Sequence, residues 1–135
     1  MIISEKKQSI KSPECVANIL NAILDSEHET DRDKEHFWAI GLDTKKKIKY
    51  IELISLGILN RSLIHPREVF RLAILKAVDS IIVIHNHPSG DISPSESDIE
   101  ITNKLIEGGK LLCIEIIDHI IIGDGYYSFR KEGLI

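Results

Sequence analysis

Residues 80–84, Ser-Ile-Ile-Val-Ile, form an apolar β-branched run that leads directly into His85-Asn86-His87 and then Pro88-Ser89-Gly90-Asp91. A run of this length bounded by turn residues predicts a buried strand. That strand delivers His85 and His87 at its carboxyl end. Residues two apart on an extended chain point to the same side, so both imidazoles can face one ion. Pro88, Gly90, Asp91 and Pro94 interrupt regular structure, and the pattern of apolar and charged residues from Ser95 onward predicts a helix. The turn brings Asp98 back towards the histidines.

Two imidazoles and one carboxylate give three protein ligands. This is the count of a catalytic zinc site, whose fourth position is left for water or substrate, whereas structural zinc takes four. Cys15 and Cys113 are the two cysteines of the chain and form no C-x-x-C pair, so no thiolate cluster closes the site. Each residue also has a plainer explanation. A histidine at a strand end commonly serves as a hydrogen-bonded residue, and Ser95 with Asp98 matches a helix capping box. What favours a metal is the joint pattern H-x-H-x7-S-x2-D, set after an apolar strand and a turn rich in Pro and Gly.

The rest of the chain supplies alternating elements. Ser12-Pro13-Glu14 starts a helix, with Ser12 as N-cap and Pro13 at the first helical position. Val16, Ile19, Leu20, Ile23 and Leu24 recur at helical spacing, and the helix is expected to fade over 26–34. His36–Leu42 and Ile48–Ser55 read as antiparallel strands joined through Asp43–Lys46, and Ile58–Ile64 as a further strand. Pro66 begins a second helix with Val69, Phe70, Ala73, Ile74 and Ala77 as its buried stripe, and His65 is expected as its start residue, not a ligand. The helix from Ser95 is expected to stop at Gly108-Gly109. Two buried strands, Leu111–Ile117 and His119–Ile122, then follow on either side of Asp118, with Cys113 in the first and an edge strand over Tyr126–Phe129. The order α, β-β-β, α, β, α, β-β predicts an α/β fold, a mixed sheet with helices packed on its faces.

A chain of 135 residues with 43% hydrophobic content suits one domain with a single core. No segment approaches the roughly 18 apolar residues of a membrane span, and the N-terminus lacks the apolar stretch of a secretory signal. Together with unclustered cysteines, this gives a cytoplasmic expectation with free thiols. The formal net charge of -4 argues against a generally basic nucleic-acid-binding surface. The one sharp basic run, Lys45-Lys46-Lys47, reads as a solvated turn.

At His85, His87, Ser95 and Asp98 the chain resembles the JAB/MPN metalloprotease-like domains, whose JAMM signature is an upstream Glu followed by H-x-H-x7-S-x2-D. It is most similar to their RadC-like branch, through HNHPSG, PSESD and the later DHIIIG. Many JAMM enzymes have Ser or Thr between the histidines, and this chain has Asn86, as the RadC-like branch does. The resemblance covers 12–135 and implies a single domain there after a polar leader over 1–11. It implies a three-layer sandwich similar to the cytidine-deaminase-like fold, a Zn2+ cofactor held by His85, His87 and Asp98, and Ser95 as a donor to the oxyanion of a tetrahedral intermediate. Glu35 matches the upstream Glu and would be the general base. From composition alone Glu35 is a surface glutamate, and Glu52, also in a strand-like segment, is the rival base.

The activity implied is zinc-dependent hydrolysis of a peptide or isopeptide bond, with a peptide or protein as partner. Two alternatives stand beside it: a binding or scaffold module in DNA repair or recombination, and a metal-dependent nuclease. A zinc deaminase is disfavoured, since it would carry H-x-E and a later P-C-x-x-C. Asp118-His119 invites a Ser-His-Asp reading, but no G-x-S-x-G elbow accompanies it, and the pair is expected to be structural.

Overall fold

The computed structural model describes residues 2–4, 8–57 and 64–135. Its elements are β1 (Ile2–Ser4), α1 (Pro13–Asp25), α2 (Glu29–Arg32), β2 (Glu35–Leu42), β3 (Ile48–Gly57), α3 (Pro66–Leu75), β4 (Ser80–Asn86), α4 (Glu96–Leu112), β5 (Glu115–Gly123) and β6 (Gly125–Ser128). The strands form one sheet in the order β1-β3-β2-β4-β5-β6. β4 and β5 are parallel because the chain crosses between them through α4, and the other neighbours run antiparallel. The expected strand over 58–64 falls, apart from its last residue, outside the described residues.

Alternation along the central strands divides the core in two. Phe37, Ala39, Ile81 and Val83 face Val69, Phe70 and Ala73 of α3 and Ile101 and Leu105 of α4. Trp38, Ile40, Ile82 and Ile84 face Val16, Ala17 and Leu20 of α1 on the other side. Helix, sheet and helix thus make the expected α/β three-layer sandwich. Every residue of β4 is buried because both of its faces are covered.

Local signals place several boundaries as expected. Ser12 caps α1 by accepting from the Cys15 N–H, with Pro13 next, and Pro66 opens α3 after His65. The basic run sits in the β2–β3 turn, where Asp43 Oδ1 accepts from the N–H groups of Lys45 and Lys47. The short helix α2 occupies part of the stretch where α1 was expected to fade. The polar stretch before α1 contributes β1 and a bridge from Ser9 to Lys47 at the sheet edge.

Other expectations are corrected. In α3 the inward residues are Val69, Phe70, Leu72 and Ala73, and Ile74 is exposed. The helix ends at Leu75, and Ala77 lies beyond it with φ +52°. α4 does not stop at Gly108-Gly109 but runs on to Leu112 and is closed by Cys113 in the left-handed conformation, so Cys113 is an exposed helix cap and not a core strand residue. β5 is one continuous strand through Asp118. The Asp118 carboxylate survives burial there by accepting from the His119 and Arg130 N–H groups at 2.8 and 3.0 Å and from Ser128 Oγ.

Gly109 lies within α4 because its neighbour leaves no room for a side chain. A Cβ placed there would lie 2.3 Å from the Ile114 carbonyl oxygen, where the chain folds back from α4 into β5. Gly to Ala inside a helix ordinarily stabilises by about 1 kcal/mol. Gly109→Ala is expected to invert that sign and cost about 1–3 kcal/mol through the clash, measured as a lower urea midpoint with an unchanged slope.

Candidate metal centre

The carboxyl end of β4 and the start of α4 meet at one point. His85 is the sixth residue of β4, and His87 follows the strand at the head of the turn. Ser95 is the N-cap of α4 and Asp98 its third helical residue, joined in a reciprocal capping box: the Asp98 N–H donates to Ser95 Oγ at 3.1 Å, and the Ser95 N–H donates to Asp98 Oδ2 at 2.8 Å. Capping and ligation therefore do not compete. The cap is what aims the carboxylate at the histidines.

His85 Nε2 lies 2.9 Å from His87 Nε2 and 3.1 Å from Asp98 Oδ1, and His87 Nε2 lies 3.2 Å from Asp98 Oδ2. These three residues offer donor atoms all within 4.8 Å of one another. Zinc bonds of roughly 2.0–2.1 Å at a tetrahedral angle would separate ligand atoms by roughly 3.3 Å, close to what is found. His87 Nδ1 is 2.6 Å from the Asp91 carbonyl. A carbonyl only accepts, so Nδ1 carries a proton, which leaves Nε2, turned towards His85 and Asp98, as the nitrogen that would bind a metal. The donor set fits a divalent ion of zinc type, with a carbonyl orienting one ligand from behind.

The electrostatics agree. Burial alone would raise the Asp98 carboxyl, but hydrogen bonds from His85 and His87 outweigh it and hold it well below the usual carboxylate range. Hydrogen bonding to Asp98 raises the His87 imidazole against the opposing effect of burial. Asp98 is therefore an anion at any ordinary pH, and His85 and Asp98 are closed from solvent while His87 is partly open.

The comparisons with known proteins bear on nearly the whole chain. The family model described as the RadC-like JAB domain covers residues 10–134. The chain belongs to this family. A UPF0758 protein of Methanosarcina mazei is 48% identical over 134 residues, which is 98% of this chain and 56% of the relative. Similar relatives, also named UPF0758 protein, occur in Caldanaerobacter subterraneus, at 50% identity over 92% of this chain and 51% of the relative, and in Alkaliphilus metalliredigens, at 50% over 93% and 53%. The chain spans about half the length of these curated relatives.

In this RadC-like JAB domain, Glu35 opens β2 and lines, with His87, Ser95 and Asp98, a cleft of about 770 Å³. Glu52 does not line it. Glu52 is buried in β3 beside Arg71 of α3, 3.4 Å away, where desolvation raises its carboxyl. His65 is likewise absent from the cleft. The Asp118-His119 pair divides between the two faces of the sheet: Asp118 is aligned with Ile82 of the α1 side and His119 with Val83 of the α3–α4 side. Their one direct bond joins the Asp118 carboxylate to the His119 backbone.

Three residues around the centre went unassigned on sequence grounds. The Asn86 side chain accepts from the His36 N–H at 2.6 Å and donates to the Lys34 carbonyl at 3.0 Å, gripping the backbone on both sides of Glu35. His119 Nε2 is 2.7 Å from His85 Nδ1, and Thr102 Oγ1 is 2.5 Å from His119 Nδ1. Burial pushes the His119 imidazole well below its ordinary value. Asn86 carried a signal, as the residue that differs from Ser or Thr in the motif. His119 lay in DHIIIG with nothing local to say what it meets.

Because His36 and Asn86 are buried, removing the amide leaves the His36 N–H without its acceptor away from water, while the Lys34 carbonyl keeps the bond from His36 Nδ1. Asn86→Ala is expected to cost about 1–3 kcal/mol, the penalty for such groups left unpaired. Chemical denaturation measures the loss, and hydrogen exchange at the His36 amide should accelerate by more than the neighbouring β2 amides.

Proposed function

We propose that this domain is a zinc-dependent hydrolase acting on a peptide or isopeptide bond, with a peptide or protein as its substrate. The observation that carries the reading is the convergence of three N/O donors, two of which line one cleft together with a carboxylate outside the donor triangle and a hydroxyl. His85, His87 and Asp98 would hold the zinc, which supplies Lewis-acid polarisation of a carbonyl and makes water acidic enough to lose a proton near neutral pH. Glu35 takes the proton of the attacking water and returns it to the leaving amine. Ser95 Oγ already accepts from the Asp98 N–H, which leaves its own O–H to be donated to the developing oxyanion. Asn86 holds the backbone that carries Glu35.

The DNA-directed alternatives gain less support. The basic run Lys45–Lys47 lies in the turn beyond Leu42, at the opposite end of β2 from Glu35, so these lysines do not border the cleft. The acidic balance of the chain points the same way.

Elemental analysis of the purified protein is expected to give one zinc per chain, most of it lost in His87→Ala. Full occupancy in a His85→Ala, His87→Ala double variant would refute the ligand set. Glu35→Gln keeps shape and hydrogen bonding but removes the proton acceptor. Zinc should stay while hydrolysis of a peptide or isopeptide panel falls by about 10²- to 10⁴-fold. Asp98→Asn should instead weaken zinc itself.

A further inference from the structure

Behind His85, on the side away from the cleft, a line of polar side chains runs through β5 into α4. His85 Nδ1 lies 2.7 Å from His119 Nε2, His119 Nδ1 lies 2.5 Å from Thr102 Oγ1, and Thr102 Oγ1 lies 2.7 Å from the Asp98 carbonyl oxygen. We infer that this line is a directional hydrogen-bond relay that fixes the tautomer of His85, making His119 and Thr102 positioning residues for the metal centre. The inference rests on the metal-centre reading above and extends it to residues that touch neither metal nor substrate.

The direction follows from the end of the line. The Asp98 carbonyl can only accept, and two oxygens 2.7 Å apart repel unless a hydrogen lies between them, so the Thr102 O–H donates to it. Thr102 Oγ1 must then accept from His119, which places the His119 proton on Nδ1. A neutral His119 is left with a bare Nε2, and that nitrogen must accept from His85. His85 therefore carries a proton on Nδ1, which leaves Nε2, the nitrogen facing His87 and Asp98, as the one that would bind a metal. The reversed line would put an N–H on His85 Nε2, pointing into the centre, where no metal bond can form.

The surroundings keep this arrangement. His85, His119 and Thr102 are each at most 1% exposed, which leaves no room for solvent to replace a partner. The His119 ring stacks on Phe129 with centroids 4.6 Å apart and planes 13° apart, and meets the edge of Phe37. Thr102 is one turn beyond Asp98 on α4. The same residue thus supplies a metal ligand with its carboxylate and terminates the relay with its carbonyl, so α4 sets both ends of a closed circuit.

The test compares Thr102→Val, nearly the same shape without the hydroxyl, with Thr102→Ser, which keeps it. In the metal-free wild-type protein, two-bond ¹H–¹⁵N correlation is expected to find the His85 proton on Nδ1. In Thr102→Val the His119 Nδ1–H loses its acceptor, so the line should reverse, with the His85 proton moving towards Nε2. Zinc affinity, measured by competition with a chelator, should fall about 10- to 100-fold, and Thr102→Ser should restore both readings. A wild-type His85 with no proton on Nδ1 overturns the relay, and that spectrum decides its direction even if the valine variant fails to fold. Lost affinity in Thr102→Val with an unchanged His85 tautomer also overturns it, since that would be a packing effect. A wild-type protein with the His85 proton on Nδ1 that takes up no zinc overturns the metal-centre reading while supporting the relay's direction.

Discussion

The Asp98 carboxylate is the hinge of the structure. Oδ2 accepts the Ser95 N–H that closes the capping box and also lies against His87, while Oδ1 lies against His85. A carboxylate 2% exposed can remain charged only if nearly all its lone-pair positions are used. Helix cap, turn and histidine pair are therefore one unit. The helix cannot start elsewhere without uncovering a buried anion, and the histidines cannot part without leaving it unpaired. The same coupling fixes how α4 approaches β4, and through the parallel β4–β5 pair it sets where β5 brings His119.

What the sequence made legible was what depends on neighbours along the chain. Helix starts at Ser12-Pro13 and Pro66, the β2–β3 turn at Asp43 and the strand before His85 are local events, set by caps, fixed φ and side-chain shape. What it hid was decided by contacts across the fold. Gly108-Gly109 looks like a helix stop because glycine is the weakest helix former after proline. Here Gly109 is inside the helix because the returning chain at Ile114 passes too close for any Cβ. Extending α4 past that point carries Cys113 out of the strand and onto the surface. Asp118 looks like a strand break because an acid is costly to bury, and Ser128 and the Arg130 backbone, reaching it from the following segment, offset part of that cost while burial still raises its carboxyl.

The site divides in the same way. His85, His87 and Asp98 could be read as ligands because strand period, turn and helix start are all encoded within a stretch of the chain no longer than the motif itself. Glu35 could be named only by resemblance, since nothing near it shows that β2 lies antiparallel to β4 with Phe37 opposite His85. Asn86, alternating with the two histidines along the strand, points away from them and towards the start of β2. One short segment therefore supplies two of the proposed ligands with its first and third residues and holds the proposed base with its second. This gives a physical reason for an amide between the histidines: its separate oxygen and nitrogen bond the His36 N–H and the Lys34 carbonyl together.

Exposure around the centre says from which side a substrate of the proposed reaction would come. His85 is sealed by β5 and α4, and Asp98 by its own helix cap, whereas His87 keeps a 16% exposed side chain on the cleft that Glu35 and Ser95 border. A metal held by the three proposed ligands would be gathered from one side, so that its remaining direction, the proposed carboxylate base and the proposed hydroxyl donor would share one approach. A structural metal would be enclosed by protein on every side. An ion held from behind, with a carboxylate and a hydroxyl bordering its open face, would have the asymmetry of the catalytic site proposed above.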